Sequence, residues 1–138
     1  MKIIMISHGD FFKGLLSSAQ MIVGEQDEIT ALGLYPKDNI EGFKQTVKEM
    51  IEENKGEDVL FLTDLSHGSP FNVVVSQMNN DSIYHITGIN MPLFLELIMM
   101  KNSNTMSCEE ICSEITKKIQ NSIHESIYDV RKFLNEVI

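Results

Sequence analysis

Ile3-Ile4-Met5-Ile6 is an unbroken apolar run that ends abruptly in Ser7-His8-Gly9-Asp10. Four apolar residues without alternation fit a strand covered on both faces, as in a parallel sheet sandwiched between helices. The polar tail marks the carboxyl end of that strand. A different period follows: Phe12, Leu15, Leu16, Ala19, Ile22 and Val23 recur three and four apart, the stripe of a helix packing one face onto the sheet. The same unit returns downstream. Val59 to Leu62 is a second buried run, and Ile29 to Leu34 and Ile83 to Thr87 read as two weaker strands, ending before Tyr35-Pro36 and Gly88.

Helix starts fall between these strands. Asn39 precedes the helical pattern Ile40, Phe43, Val47, Met50 and Ile51; Ser69-Pro70 opens a third helix; Asn90 with Pro92 opens a fourth; and Ser107 with Glu110 makes an S-x-x-E capping box for a fifth. The order β-α-β-α-β-α-β-α-α with right-handed crossovers predicts an α/β fold, a doubly wound and mainly parallel sheet of four strands in the order 2-1-3-4 flanked by helices. Four strands are too few to close a barrel. Ser122 to Tyr128 either continues the fifth helix or forms an antiparallel C-terminal edge strand, since Ile123 and Ile127 also fit an i, i+4 spacing. From Asp129, which reads as a cap, Val130, Phe133, Leu134 and Val137 share one helical face.

Length and charge narrow the functions. At 138 residues, 1–138 is expected to be a single domain. Eleven Lys and Arg against 20 Asp and Glu leave a formal charge of −9, which repels nucleic-acid phosphates and anionic lipid headgroups. Cys108 and Cys112 lie four apart in a helical pattern, where a disulfide would close almost no loop; they read as small fillers in a reducing compartment. The apolar start is too short for a signal peptide and no later run is long enough to span a bilayer, so a cytoplasmic protein is expected. The nine methionines read as adaptable core filler.

In an open doubly wound sheet, ligands bind beyond the carboxyl ends of the strands where strand order reverses. That rule selects Ser7-His8-Gly9-Asp10 after the first strand and Asp64-Leu65-Ser66-His67-Gly68-Ser69-Pro70-Phe71-Asn72 after the third. In the order 2-1-3-4 these loops are neighbours, and His8 comes within hydrogen-bond reach of Asp64. A carboxylate that accepts the Nδ1 proton leaves Nε2 as an exposed nucleophile or base, an arrangement suited to phosphoryl capture. Gly68 allows close backbone approach, the Ser69-Pro70 helix start favours an anion, and the Ser66 and Ser69 hydroxyls can donate to phosphate oxygens.

These residues resemble a known family, the IIA domain of the mannose/fructose/sorbose-type sugar phosphotransferase system. The resemblance runs over nearly the whole chain. It rests on Ser7-His8-Gly9, Gly24-Glu25-Gln26, Leu60-Phe61-Leu62-Thr63-Asp64, Gly68-Ser69-Pro70-Phe71-Asn72 and Gly88-Ile89-Asn90-Met91-Pro92, in family order and spacing. It implies a phosphotransferase in which His8 accepts a phosphoryl group from a phosphohistidine carrier of the HPr type and passes it to a IIB component, for sugar uptake coupled to phosphorylation. It further implies Asp64 as the Nδ1 partner, Ser66 to Ser69 (Ser66, His67, Gly68, Ser69) as the phosphate cradle, and a homodimer built through a strand near the C-terminus. Membrane contact would be indirect, through the IIC and IID components. The chain departs from the family pattern at His67, where an aromatic or glycine is more familiar, and Ser66 stands at a variable position. His67 either assists or lines the entrance.

Other residues read more plainly. His85 inside a strand is structural, His124 faces solvent, Asn72 and Asn90 cap or bend their loops, and Glu25 fixes a turn after the glycine that ends the first helix. A metal cluster of His8, Asp10, Asp64 and His67 can be drawn, but no ligand geometry is fixed, and neither metal nor cofactor is expected. No G-x-x-x-x-G-K-[ST] loop is present to bind a nucleotide. The related phosphotransfer subunit of a dihydroxyacetone kinase system is the nearest alternative, with a non-catalytic regulator of the same fold beside it. A signalling receiver domain would want paired acids after the first strand, where Ser7-His8-Gly9 stands.

Overall fold

The computed structural model of the chain describes residues 1–137, and their side chains apart from those of 118–126. Strands β1 (Lys2–His8), β2 (Ile29–Leu34), β3 (Val59–Thr63) and β4 (Ile83–Thr87) form one sheet in the order β2-β1-β3-β4. Every neighbouring pair is parallel. Helices α1 (Phe11–Val23), α2 (Ile40–Glu53) and α3 (Ser69–Val75) make the crossovers, followed by α4 (Met91–Asn102), α5 (Cys108–Ser126) and α6 (Val130–Val137).

Alternation along β1 sorts the core into two layers. Ile3 and Met5 pack with Phe12 and Ala19 of α1, Phe94, Leu97 and Ile98 of α4, and Ile111 and Ile115 of α5. Ile4 and Ile6 point the other way, to Val47 of α2 and Val73 and Val74 of α3. Both faces are therefore dry, which is why the strand sequences are continuously apolar. The chain moves from β1 to β2 in one direction and from β2 through β3 to β4 in the other. A right-handed crossover changes face when its direction reverses, so α1 lies opposite α2 and α3. The reversal leaves a crevice between the carboxyl ends of β1 and β3.

The helix starts are held as their sequences demand. Asn39 accepts from Gly42 N–H at 3.1 Å and Asn90 from Leu93 N–H at 3.1 Å. Ser107 and Glu110 exchange both capping-box bonds at 3.1 Å, and those bonds hold the Glu110 carboxyl below its ordinary pKa. Asp129 accepts from the N–H of Arg131 and of Lys132. Helix α1 is the exception: Asp10 at its N-cap makes no side-chain cap bond, and the Ser7 hydroxyl accepts from Phe12 N–H instead, at 2.9 Å. Each such bond stabilises by about 1 kcal/mol.

The C-terminus takes the helical one of the two readings: α5 runs to Ser126 and no edge strand forms over 122–128. A strand there would need a partner edge for its backbone groups, whereas a helix satisfies them internally. The reading of His124 concerns a side chain outside those described. Helix α6 exposes Val130, Phe133, Leu134 and Val137, next to exposed Ile127 and Tyr128. Cys108 is buried, Cys112 half-buried, and both are free thiols. Among the described residues no helix is long and apolar enough to cross a membrane.

Candidate functional site

The ends of β1 and β3 bring the two loops together. Ile6 is in register with Thr63, so His8 and Asp64 leave the sheet side by side. The His8 backbone N–H donates to Asp64 Oδ2 at 2.9 Å, which continues strand pairing beyond the last backbone rung. The same carboxylate takes the ring: His8 Nδ1 lies 3.0 Å from Oδ2 and 3.2 Å from Oδ1. An ionised carboxylate can only accept, so Nδ1 carries the proton and the neutral ring keeps its lone pair on Nε2. The Asp64 side chain is 11% exposed and that of His8 51%. The acceptor is thus shielded while the imidazole presents an edge to solvent.

Gly68 faces the other side of the ring. Its backbone is extended, with φ −81° and ψ 175°, and a Cβ there would lie 2.8 Å from His8 Cε1. Ser69 joins His8, Gly9, Tyr35, Asp38 and Ile40 around a cavity of about 440 Å³. In the first turn of α3 the N–H groups of Ser69 and Phe71 have no intrahelical acceptor. Gly68 and Ser69 are therefore gathered at His8. Ser66 and His67 stand exposed on the same loop, and among the described residues neither hydrogen-bonds to His8 or Asp64. The His67 backbone is left-handed, φ 64°, the region that favours glycine, and its ring rests 5.1 Å from that of Phe71.

Two supporting networks around the site are not announced by local sequence. On the β2 side, Tyr35 donates its hydroxyl proton to Asp10 and accepts from Lys13 Nζ at 3.0 Å, which raises the Lys13 pKa. Gly33 lies beneath the His8-Gly9 turn, so close that a Cβ would stand 2.3 Å from the Gly9 carbonyl oxygen. A glycine inside a strand is the available signal of such an approach. On the β4 side, Thr63 Oγ1 lies 2.8 Å from His85 Nε2 and 2.9 Å from Thr87 Oγ1. Burial pushes the His85 pKa down to about 4. The signal here is one hydroxyl, Thr63, closing an otherwise apolar strand.

His8, Asp10, Asp64 and His67 do not gather around a common point for an ion. Asp10 is engaged by Tyr35 and Asp64 by His8, and among the described residues no group of three or more His, Cys, Asp or Glu is placed to hold an ion.

The family described as "PTS system fructose IIA component" matches residues 2–127. The fructose-specific EIIA component of Bacillus subtilis is 32% identical over 104 residues, 72% of this chain and 69% of the relative. A crystal structure of the PTS IIA protein associated with the fucose utilization operon of Streptococcus pneumoniae superposes with a TM-score of 0.76 at 37% identity, covering 96% of this chain and 95% of that one. The mannose/sorbose-specific IIA subunit from Enterococcus faecalis gives 0.79 at 26% identity, over 93% and 94% of the two chains.

Proposed function

The chain belongs to the mannose/fructose/sorbose-type IIA family of the sugar phosphotransferase system, and from that membership we propose that it is a phosphocarrier whose acceptor is His8 Nε2. The observation that carries this reading is the bond from His8 Nδ1 to Asp64 at 3.0 Å, with the ring half exposed. The Nε2 lone pair attacks the phosphorus of a phosphohistidine on an HPr-type carrier. The carrier's P–N bond breaks and its electron pair returns to the carrier's imidazole. His8 then holds a proton on Nδ1 and phosphorus on Nε2, so its ring gains positive charge, which the Asp64 carboxylate stabilises without taking the proton. No proton needs to move. The Ser69 hydroxyl and the N–H groups of the first α3 turn are placed to receive phosphoryl oxygens, with Gly68 leaving room for them; Ser66 and His67 complete the rim of this cradle.

A protein donor fits the surroundings better than a small molecule. Phe11, Leu65 and Ile40 are exposed large apolar side chains at the same end of the sheet, and a half-exposed nucleophile offers itself to another surface. The recipient in this reading is the IIB component of the same system, the membrane components IIC and IID are reached only through it, and residues 1–138 act in the cytoplasm as one IIA domain. The apolar face of α6, with Phe133 and Leu134 exposed, supports a homodimer. Light scattering at micromolar concentration checks that part: twice 15.7 kDa is expected, and a monomer contradicts it.

Incubation with phosphorylated carrier followed by mass mapping tests the main reading. One phosphoryl group on His8, discharged on adding the IIB component, is expected. Phosphate on His67 or on Asp64 overturns the assignment, and no uptake overturns the function.

A further inference from the structure

His85 touches Thr63 and Phe71, which bracket the loop that holds His8. That loop, residues 64–68, leaves β3 after Thr63 and enters α3 at Ser69. At its start, Thr63 is fully buried and its hydroxyl meets His85 Nε2 at 2.8 Å. At its end, the Phe71 ring lies 5.1 Å from that of His85, on the same ring that His67 touches. We propose that His85 is a positioning residue for phosphoryl transfer, clamping the 64–68 loop from both ends through Thr63 and Phe71; this rests on the phosphocarrier reading of His8.

The hydrogen bonds around Thr63 form one consistent chain. Thr63 Oγ1–H donates to Thr87 Oγ1 at 2.9 Å, and Thr87 Oγ1–H donates to the Thr63 carbonyl at 3.5 Å. The Thr63 hydroxyl has no second proton, so the bond to His85 needs a proton on Nε2. With the Thr63 proton engaged by Thr87, His85 is the donor through Nε2, and burial disfavours its charged form. The Thr63 carbonyl is also held by Gly88 N–H at 2.8 Å, so the carbonyl and the hydroxyl of Thr63 both face β4 and the segment after it. Asp64, the next residue, inherits that placement. On the other arm, Phe71 sits in the first turn of α3, three residues after Gly68.

The consequence for His8 is geometric. Its Nδ1 is gripped by Asp64, and its Cε1–Nε2 edge is approached by Gly68. These two residues are the ends of the clamped loop. A small displacement at either anchor moves the ring relative to incoming phosphorus, and transfer rates are steep in that alignment.

Three variants test the clamp. His85→Phe keeps a ring against Phe71 and removes the donor; Thr63→Val is near-isosteric and removes the acceptor; His85→Gln carries an amide N–H to the Nε2 position. Loss of one buried hydrogen bond from the positioning of the site should slow single-turnover transfer from phosphorylated carrier about 3- to 10-fold. The carrier concentration at half-maximal rate should not change, because the docking surface is untouched. The double variant Thr63→Val/His85→Phe should be no slower than the slower single one, since both cut the same link. His85→Gln should recover most of the rate. Nitrogen-edited NMR of unphosphorylated protein supplies a readout independent of transfer: the His8 Nδ1 proton should broaden or shift in Thr63→Val and His85→Phe and return in His85→Gln. Wild-type rates together with an unchanged His8 Nδ1 proton in both Thr63→Val and His85→Phe overturn the clamp. Failure of wild-type protein to accept phosphate sinks the phosphocarrier reading instead, and the NMR comparison still decides whether His85 positions the loop. Thr63→Val alone suffices if His85→Phe does not fold.

Discussion

Gly68 stands so near the ring of His8 that a Cβ built on it would lie 2.8 Å from Cε1 and 3.3 Å from Nε2. Its φ of −81° is open to any residue, so alanine there strains contacts rather than backbone. The methyl group must displace the imidazole or the loop. Gly68→Ala is expected to change stability by less than about 1 kcal/mol, while a displacement approaching 1 Å slows phosphotransfer on the order of 100-fold. Thermal melts beside single-turnover rates check both halves. A large loss of melting temperature with normal transfer per folded molecule would contradict the contact's functional role.

Asp64 and His8 should separate cleanly on mutation. His8→Ala removes the proposed phosphoryl acceptor, and no phosphoryl uptake is expected. Asp64→Asn keeps an oxygen able to accept from Nδ1 and loses the charge that stabilises the phosphorylated ring, a deficit of about 1.5–3 kcal/mol or roughly 10- to 100-fold. If the amide turns its NH₂ toward the ring, the wrong tautomer is selected and the loss deepens. His67→Ala, on the rim, should alter the rate without abolishing it. An Asp64→Asn rate equal to wild type would remove the carboxylate from the mechanism.

On the opposite side of β1, Gly33 supports the same turn. A Cβ 2.3 Å from the Gly9 carbonyl oxygen and 2.8 Å from the Tyr35 hydroxyl has no room without moving backbone. Gly33→Ala should destabilise the protein by about 1–3 kcal/mol and also slow transfer, because the displaced residue adjoins His8. Denaturant unfolding measures the first effect. Stability equal to wild type would show that the turn yields freely.

Acid should weaken the fold through His85. Its folded pKa of about 4 lies below the ordinary 6.5, from burial, so the unfolded chain binds this proton first as pH falls. The stabilisation is complete above pH 6.5 and is lost progressively down to about pH 4. The full shift corresponds to about 3 kcal/mol; the ring is only partly enclosed, so on the order of 1–2 kcal/mol is expected after solvent screening. His85→Phe should flatten the stability profile between these limits relative to wild type. An unchanged slope would mean that folding does not depress the His85 pKa.

Much of this architecture is legible in local sequence. The unbroken runs Ile3–Ile6 and Val59–Leu62 announce strands covered on both faces, and the same dryness sorts Ile4 from Met5 into opposite layers. Asn39, Asn90 and Ser107 declare helix starts because their side chains bind N–H groups three residues away. The His8 and Asp64 neighbourhood follows from one topological rule about where strand order reverses. Contacts between distant positions are harder to read. Nothing near Gly33 in the sequence names Gly9 as the atom it must avoid, and Thr63, His85 and Phe71 come from three separate elements. The end of α5 is ambiguous locally: Ile123 and Ile127 fit helix and strand alike, and the chain takes the helix, which satisfies its backbone groups internally, through Ser126.

The central claim is that phosphorus is carried on one atom, Nε2 of His8. Labelling with phosphorylated carrier, followed by proton–nitrogen–phosphorus correlation NMR on protein enriched in nitrogen-15 histidine, reads that atom directly. Phosphorus coupled to Nε2 of His8, with Nδ1 still protonated toward Asp64, is the predicted result. Phosphorus on Nδ1 of His8, or on any other residue, would contradict the account.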